Sequence, residues 1–204
     1  QKASADILRV ISSSVADTTP VFNAIVTSCQ RLFDGRAVAL VLPRGGSLES
    51  VAFASDGTAS GQGGFLKPWP FDAQSAAGAS ILQSQTVAVT DTDEGAKRFA
   101  RMRDLAIALG YRSGLFVPLL REGVAIGCIS ILRATTGPFS DKEIALAHTF
   151  AGQAVIAIEN ARLFNETQQA LERQTATADV LRVIGSSMAD AQPVFDSICA
   201  SATR

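Results

Sequence analysis

Residues 112–143 read RSGLFVPLLREGVAIGCISILRATTGPFSDKE, and this stretch decides the fold. Ser113–Leu120 is a strongly apolar strand, Arg121-Glu122-Gly123 a tight turn, and Val124–Arg133 a second strand. The second strand is apolar on both faces, with Val124, Ile126 and Cys128 on one and Ala125, Ile129 and Ile131 on the other. A strand of that kind is covered on both sides. Ser140-Asp141-Lys142-Glu143 then makes a capping box, and Phe139 with Ile144 a hydrophobic staple, so a helix begins at 141.

Working outward toward the C-terminus, Ala147, Phe150, Ala151, Ala154, Ile158 and Ala161 form a narrow stripe of small residues suited to close packing. No breaker precedes Gly185, so the helix is expected to run about 40 residues, roughly 60 Å. Beyond Leu163 the stripe thins to Leu171, Thr175, Ala178 and Leu181, a near-heptad seam with polar members, which reads as a weak coiled coil.

Toward the N-terminus, residues 95–109 are expected as one helix, Thr86–Thr90 as a strand and about 75–83 as a short helix. Residues 55–72 are rich in Gly, Ser and Pro and end in the aromatic cluster Phe65, Trp69, Phe71. Loops of that length are commonly functional or mobile. Ala37–Leu42 and Ser50–Ala54 make a hairpin around Arg44-Gly45-Gly46-Ser47. A helix starts at Thr19-Pro20, continues through Val21, Phe22, Ile25, Val26 and Cys29, and ends at Asp34-Gly35; residues 4–14 form another. The order describes an α+β domain with a mostly antiparallel sheet, terminal helices over one face and the 55–109 excursion enclosing a cavity on the other.

Composition narrows the class. Of 204 residues, 47% are hydrophobic and 18% charged, with a net charge of −1, as in a globular protein rather than a disordered one. No basic stripe points to nucleic acid, and the cluster Lys97, Arg98, Arg101, Arg103, interleaved with Phe99, Met102 and Leu105, reads as a solvated helix face. No apolar run approaches the ~18 residues of a membrane span. The first ten residues carry Asp6 and Arg9 without a cleavage pattern, so neither a signal peptide nor direct membrane contact is expected. Cys29, Cys128 and Cys199 are widely spaced and suit small buried hydrophobes in a cytoplasmic setting.

An internal repeat bears on organisation. Residues 5–31 and 178–204 share 16 of 27 positions without a gap, at an offset of 173. That period is a whole domain plus linker. The chain is therefore expected to come from a tandem array, comprising an N-terminal linker helix (1–19), one domain (20–165), a linker helix (166–190) and the start of a second copy (191–204). Val194, Phe195 and Ile198 of that second copy would need to pack on something else, and self-association is the expected outlet.

The run Arg112–Leu119, then Glu122–Gly127, then Gly137-Pro138-Phe139-Ser140, and finally Ala154–Phe164 (AVIAIENARLF), resembles the second half of a bacterial GAF domain, a PAS-related fold; the likeness covers about 20–165. Residues 168–184 resemble linkers between successive GAF domains in sensor histidine kinases and nucleotide cyclases. The resemblance implies an antiparallel sheet of the six-stranded type, helices on one face, a ligand pocket on the other, and a homodimer formed through the terminal helices. It also implies a kinase or cyclase output elsewhere in the parent protein.

Catalytic patterns are missing. His148 is the only histidine, which excludes multi-histidine metal sites, and no Gly-x-Ser-x-Gly elbow supports a triad. Gly57–Gly64 (GTASGQGG) lacks a following Gly-Lys-Ser/Thr and reads as a pocket lid. Cys128 is followed by Ile129 rather than the histidine common in bilin-binding members, and the Asn-Lys-x-Phe-Asp-Glu signature of cyclic-nucleotide members is absent. No bilin, haem or metal is expected. Phe53, Trp69, Phe71, Arg112, Ser113 and Phe116 are the candidate lining of a pocket for an unknown small molecule; the aromatics would equally complete a core. Phe150, Ala154, Ile158, Ala161, Leu171, Ala178 and Leu181 are the candidate dimer and signalling face. Two roles stand side by side: a non-catalytic sensory and dimerisation module, or a ligand-free scaffold that only pairs and spaces output domains. A third, an enzyme of the methionine-sulfoxide-reductase kind acting through Cys128, is disfavoured because such GAF members use several cysteines around the pocket, which Cys128 alone does not supply.

Overall fold

The computed structural model describes residues 18–33, 35, 37–57 and 67–202, with side chains described as far as Ala178. The expected N-terminal linker helix and most of the glycine-rich loop lie outside these residues. The chain forms two units, 1–161 and 162–204.

In the first unit, α1 (Thr19–Leu32) opens with Pro20 in its first turn and buries Phe22, Ile25, Val26 and Cys29, one stripe at i, i+3, i+4 and i+7. Strands β1 (Ala37–Arg44) and β2 (Ser47–Ser55) follow, turning on Gly45 and Gly46 with φ of 53° and 82°. Such a turn needs two left-handed residues, which glycine supplies without strain. The two-residue strand β3 (Trp69–Pro70) pairs along β2. Then come α2 (Ala76–Gln83), β4 (Val87–Val89), α3 (Thr92–Arg98) and α4 (Met102–Leu109). The hairpin β5 (Ser113–Arg121) and β6 (Val124–Arg133) leads into α5 (Asp141–Ala202).

The six strands form one sheet in the order β3-β2-β1-β6-β5-β4, every neighbouring pair antiparallel. This is the expected α+β architecture. Side-chain alternation divides the interior in two. Leu115, Val117, Leu119, Ile129 and Ile131 meet α1 and the first turns of α5, whose Ala147, Ala151 and Ala154 are buried there. Phe116, Cys128 and Leu132 face the opposite way, into a cluster roofed by α2, α4 and the segment around Trp69.

Three elements differ from expectation. The single helix expected over 95–109 is two, broken at Phe99–Arg101. A Cβ at Gly95 would overlap the Met102 sulfur and Val89 Cγ1, so glycine lets α4 pack this closely on α3 without those side chains shifting. Strand β3 falls where only a loop was expected, because Trp69 and Pro70 take an edge position that prolines tolerate. Helix α5 passes through Gly185 and Pro193 instead of stopping near 185. A glycine inside a helix costs only about 1 kcal/mol, so it need not end one.

The capping box at the start of α5 is present in full. The Ser140 amide and hydroxyl donate to Glu143 Oε2 at 2.7 and 2.8 Å. Arg133 at the end of β6 holds the same carboxylate at 2.7 Å and lies over the Phe139 ring, 3.7 Å from its centroid. In the second unit, the described side chains from Arg162 onward are exposed apart from Phe164, which is half-buried.

Close packing of β6 against β1 yields a stability test. A methyl group at Gly127 would stand 2.7 Å from the Val41 carbonyl oxygen, whereas one at Gly152 on α5 meets nothing within 4 Å. Urea denaturation is expected to show Gly127→Ala destabilised by about 1–3 kcal/mol. The same measurement is expected to show Gly152→Ala slightly more stable than the parent, by up to about 1 kcal/mol.

Candidate functional site

The side of the sheet away from α1 and α5 holds a cavity. Its floor is Phe116 from β5 with Ser130 and Leu132 from β6; its roof is Trp69, Ala76 and Ala77, Met102 and Leu105, with Tyr111 and Arg101 completing the wall. The roof is made of short pieces tied down by polar contacts. Ser75 caps α2 by accepting the Gly78 amide at 3.1 Å, and the Ser80 hydroxyl reaches the Gln85 and Phe116 carbonyls at 2.8 and 3.2 Å. Ser84, left-handed at the end of α2, accepts the Ala125 amide at 3.1 Å.

The enclosed space is about 20 Å³. That is room for about one water molecule, against ~300 Å³ or more for an ordinary ligand pocket. The roof is therefore shut down on the floor. A larger groove of about 380 Å³ lies open on the outer surface beside Thr92, Asp93, Arg103, Ile107 and Arg112.

One ion pair closes the rim. Arg101 Nη2 donates to Asp72 Oδ2 at 2.5 Å, and the other carboxylate oxygen accepts the Gln74 amide at 2.9 Å. The Arg101 amide donates back to the Gln74 carbonyl at 3.2 Å. The bond from Arg101, and after it the Gln74 amide, holds the Asp72 carboxyl below the usual carboxylate range against partial desolvation.

The structure sorts the expected pocket residues. Trp69 and Phe116 line the cavity, and Phe53 and Phe71 pack beside it in the same apolar cluster. Arg112 does not join them: its side chain is on the surface, 3.7 Å from Asp93. Ser113 is buried, but its hydroxyl donates to the Thr135 carbonyl at 2.8 Å and pins the chain leaving β6. Arg101, read as part of a solvated face, is instead the charged residue of the cavity wall. Gly95, whose missing Cβ leaves room for Met102, is a local trace of the fold-back.

The candidate dimer face is divided as well. Ala154 and Ala161 are buried, and Phe150 and Ile158 pack against the domain's own sheet cluster. Leu171 and Ala178 are exposed, while the Leu181 side chain lies outside the described residues. The exposed apolar side chains of α5 include Leu146, Ile156 and Leu163.

A family model described as GAF domain matches residues 17–158. The chain belongs to the GAF domain family. The GAF domain/HD domain protein from Geobacter sulfurreducens is similar at a TM-score of 0.64 and 19% identity, over 74% of this chain and 98% of that one. A methyl-accepting chemotaxis protein, residues 122 to 287, is similar at 0.61 and 20%, over 75% and 97%. The free methionine-R-sulfoxide reductase from Neisseria meningitidis, solved with its substrate, is similar at 0.58 and 22%, over 80% and 93%. At these identities the likeness is one of fold. No curated protein matches the chain.

Within this GAF domain the described thiols are poorly suited to nucleophilic or redox work. Burial pushes Cys29 and Cys128 up to about 12, and attack requires the thiolate. Tyr111, also raised by burial, stays a neutral phenol. Among the described residues no group of three or more His, Cys, Asp or Glu could hold a metal ion, and no helix is long and apolar enough to cross a membrane. His148 is exposed, with Nε2 3.0 Å from the Thr86 hydroxyl.

The raised thiols give a directional pH dependence. Above the ordinary thiol range the unfolded chain ionises while the folded one does not, so stability is expected to fall as pH rises from about 9 toward about 12. Iodoacetamide at pH 8 is expected to leave Cys29 and Cys128 unmodified in folded protein and to label both in urea. Peptide mapping by mass spectrometry checks this; labelling of folded Cys128 at the unfolded rate contradicts the burial described.

Proposed function

We propose that this GAF domain is a regulatory, non-catalytic sensory module of a cytoplasmic bacterial signalling protein. It binds a small molecule between the roof and the sheet. The change passes through α5 to a histidine-kinase or cyclase output, and two copies pair through their terminal helices.

The observation that supports this most is the asymmetry of the two covers. Core residues on both faces are close to zero exposure, but one face is sealed by α1 and the first turns of α5. The other is covered by short elements around a cavity with a charged rim. The β5–β6 hairpin serves both faces, and two ion pairs fasten it to α5: Arg133 with Glu143 at 2.7 Å and Arg121 with Glu159 at 2.9 Å. A ligand that displaced Phe116 or Leu132 would therefore load the helix. Exposed Ile156, at 61%, gives the pairing of copies an apolar contact.

The cavity volume favours a second reading, a scaffold whose roof residues simply complete the core. A thermal-shift screen separates the two. A ligand present at a hundred times its Kd stabilises by ~2.7 kcal/mol, a shift of several degrees. The sensory reading expects at least one compound class to produce it, and consistent failure favours the scaffold. Sedimentation equilibrium is expected to show a dimer at tens of micromolar; a strict monomer at high concentration contradicts the pairing.

A further inference from the structure

We infer that the ligand is a small carboxylic acid with a flat apolar body, recognised by Arg101, and that Asp72 is the internal carboxylate it displaces. The inference rests on the ligand-binding reading above and names the chemistry of that site.

Arginine presents a planar fork matched to a carboxylate in two parallel bonds. Here the fork is only partly used. Asp72 reaches Nη2 with one oxygen, and its other oxygen accepts the Gln74 amide. Arg101 Nε is buried and has no hydrogen-bond partner among the described residues, a condition it shares with Arg133 Nε. A buried donor left in that condition is costly, and an arriving carboxylate satisfies it.

Arg101 is also the charged group on a wall otherwise made of apolar side chains, two serines and a neutral tyrosine. One guanidinium balances one carboxylate; a dianionic phosphate would want further donors. Trp69 and Phe116 on roof and floor suit a flat apolar body. The displacement explains how a shut cavity opens. Asp72 lies between Trp69 and the α2 cap Ser75, so releasing it removes one tie on the roof segment, which β3 pairing and the Phe71 amide to the Gly46 carbonyl also hold. Both partners are about one-third exposed, at 31% and 33%, so the pair is reachable from solvent.

The test is isothermal titration of the full chain at pH 7 with two matched pairs, phenylacetate with phenylacetamide and benzoate with benzamide. At least one acid is expected to bind about tenfold or more tightly than its amide. Asp72→Asn, which keeps an acceptor for the Gln74 amide but removes the competing charge, is expected to tighten the acid several-fold and leave the amide unchanged. Arg101→Gln is expected to erase the difference between acid and amide, and Arg101→Lys to retain part of it. Should Arg101→Gln fail to fold, the acid-to-amide ratios of the parent and Asp72→Asn decide. Equal binding of acid and amide in both proteins overturns the carboxylate assignment while ligand binding survives. No binding of any probe to either overturns the carboxylate assignment, and the compound screen above then decides whether the site binds a ligand at all.

Discussion

Burial of β6 on both faces is the constraint from which the rest follows. Every residue from Gly127 to Leu132 is buried, and successive side chains alternate between two separate clusters. A sheet with such a strand at its centre cannot leave either side to solvent. The chain meets the demand with helices from its two ends on one side and the insertion between β2 and β5 on the other. Those covers differ in kind. Helices α1 and α5 bring continuous apolar stripes, whereas the insertion brings pieces of two to eight residues joined by caps and ion pairs such as Arg101 with Asp72.

The same hairpin that creates the demand links the covers. Phe116 and Leu132 touch the cavity, while Leu115, Val117 and Ile131, their immediate neighbours in sequence, touch the terminal helices. Strand pleating forbids moving one set without disturbing the other, and Arg133 and Arg121 carry the ends of β6 and β5 onto α5. Coupling of this type needs no pathway of conserved residues; it needs a roof with two arrangements.

Much of this was legible in the sequence because the signals are local. The capping box Ser140–Glu143, the glycine turn at 45–46 and the two-faced strand 124–133 each declare themselves within a few residues. The strand's expected faces hold only from Cys128 onward, because an irregularity opposite Pro118–Leu120 puts Ala125 with Cys128 and Ile126 with Ile129 and Ile131. The cavity wall was harder to read. Arg112 and Arg101 are both arginines flanking apolar segments, and only the break at Phe99–Arg101 sends one inward and the other to the surface. With that break goes the close approach of Met102 to Gly95, a contact between elements that no window of sequence displays. Strand β3 was missed for a related reason: two residues have no periodicity, and their pairing with Ser47 and Leu48 is purely tertiary. On α5, the small-residue stripe was legible as a packing face, but periodicity alone does not say whether it meets its own sheet or a second copy. Ala154 and Ala161 are buried within one chain.

On the proposed reading one cover of the sheet is fixed and the other opens, and native-state hydrogen exchange measures this directly. Amides of α4 and of residues 69–75 are expected to exchange through local openings of clearly lower free energy than those of β1, β6 and α1, which should exchange only on global unfolding. Roof amides protected to the same free energy as the central strands would contradict the account, and would make the cavity side a solid part of the core.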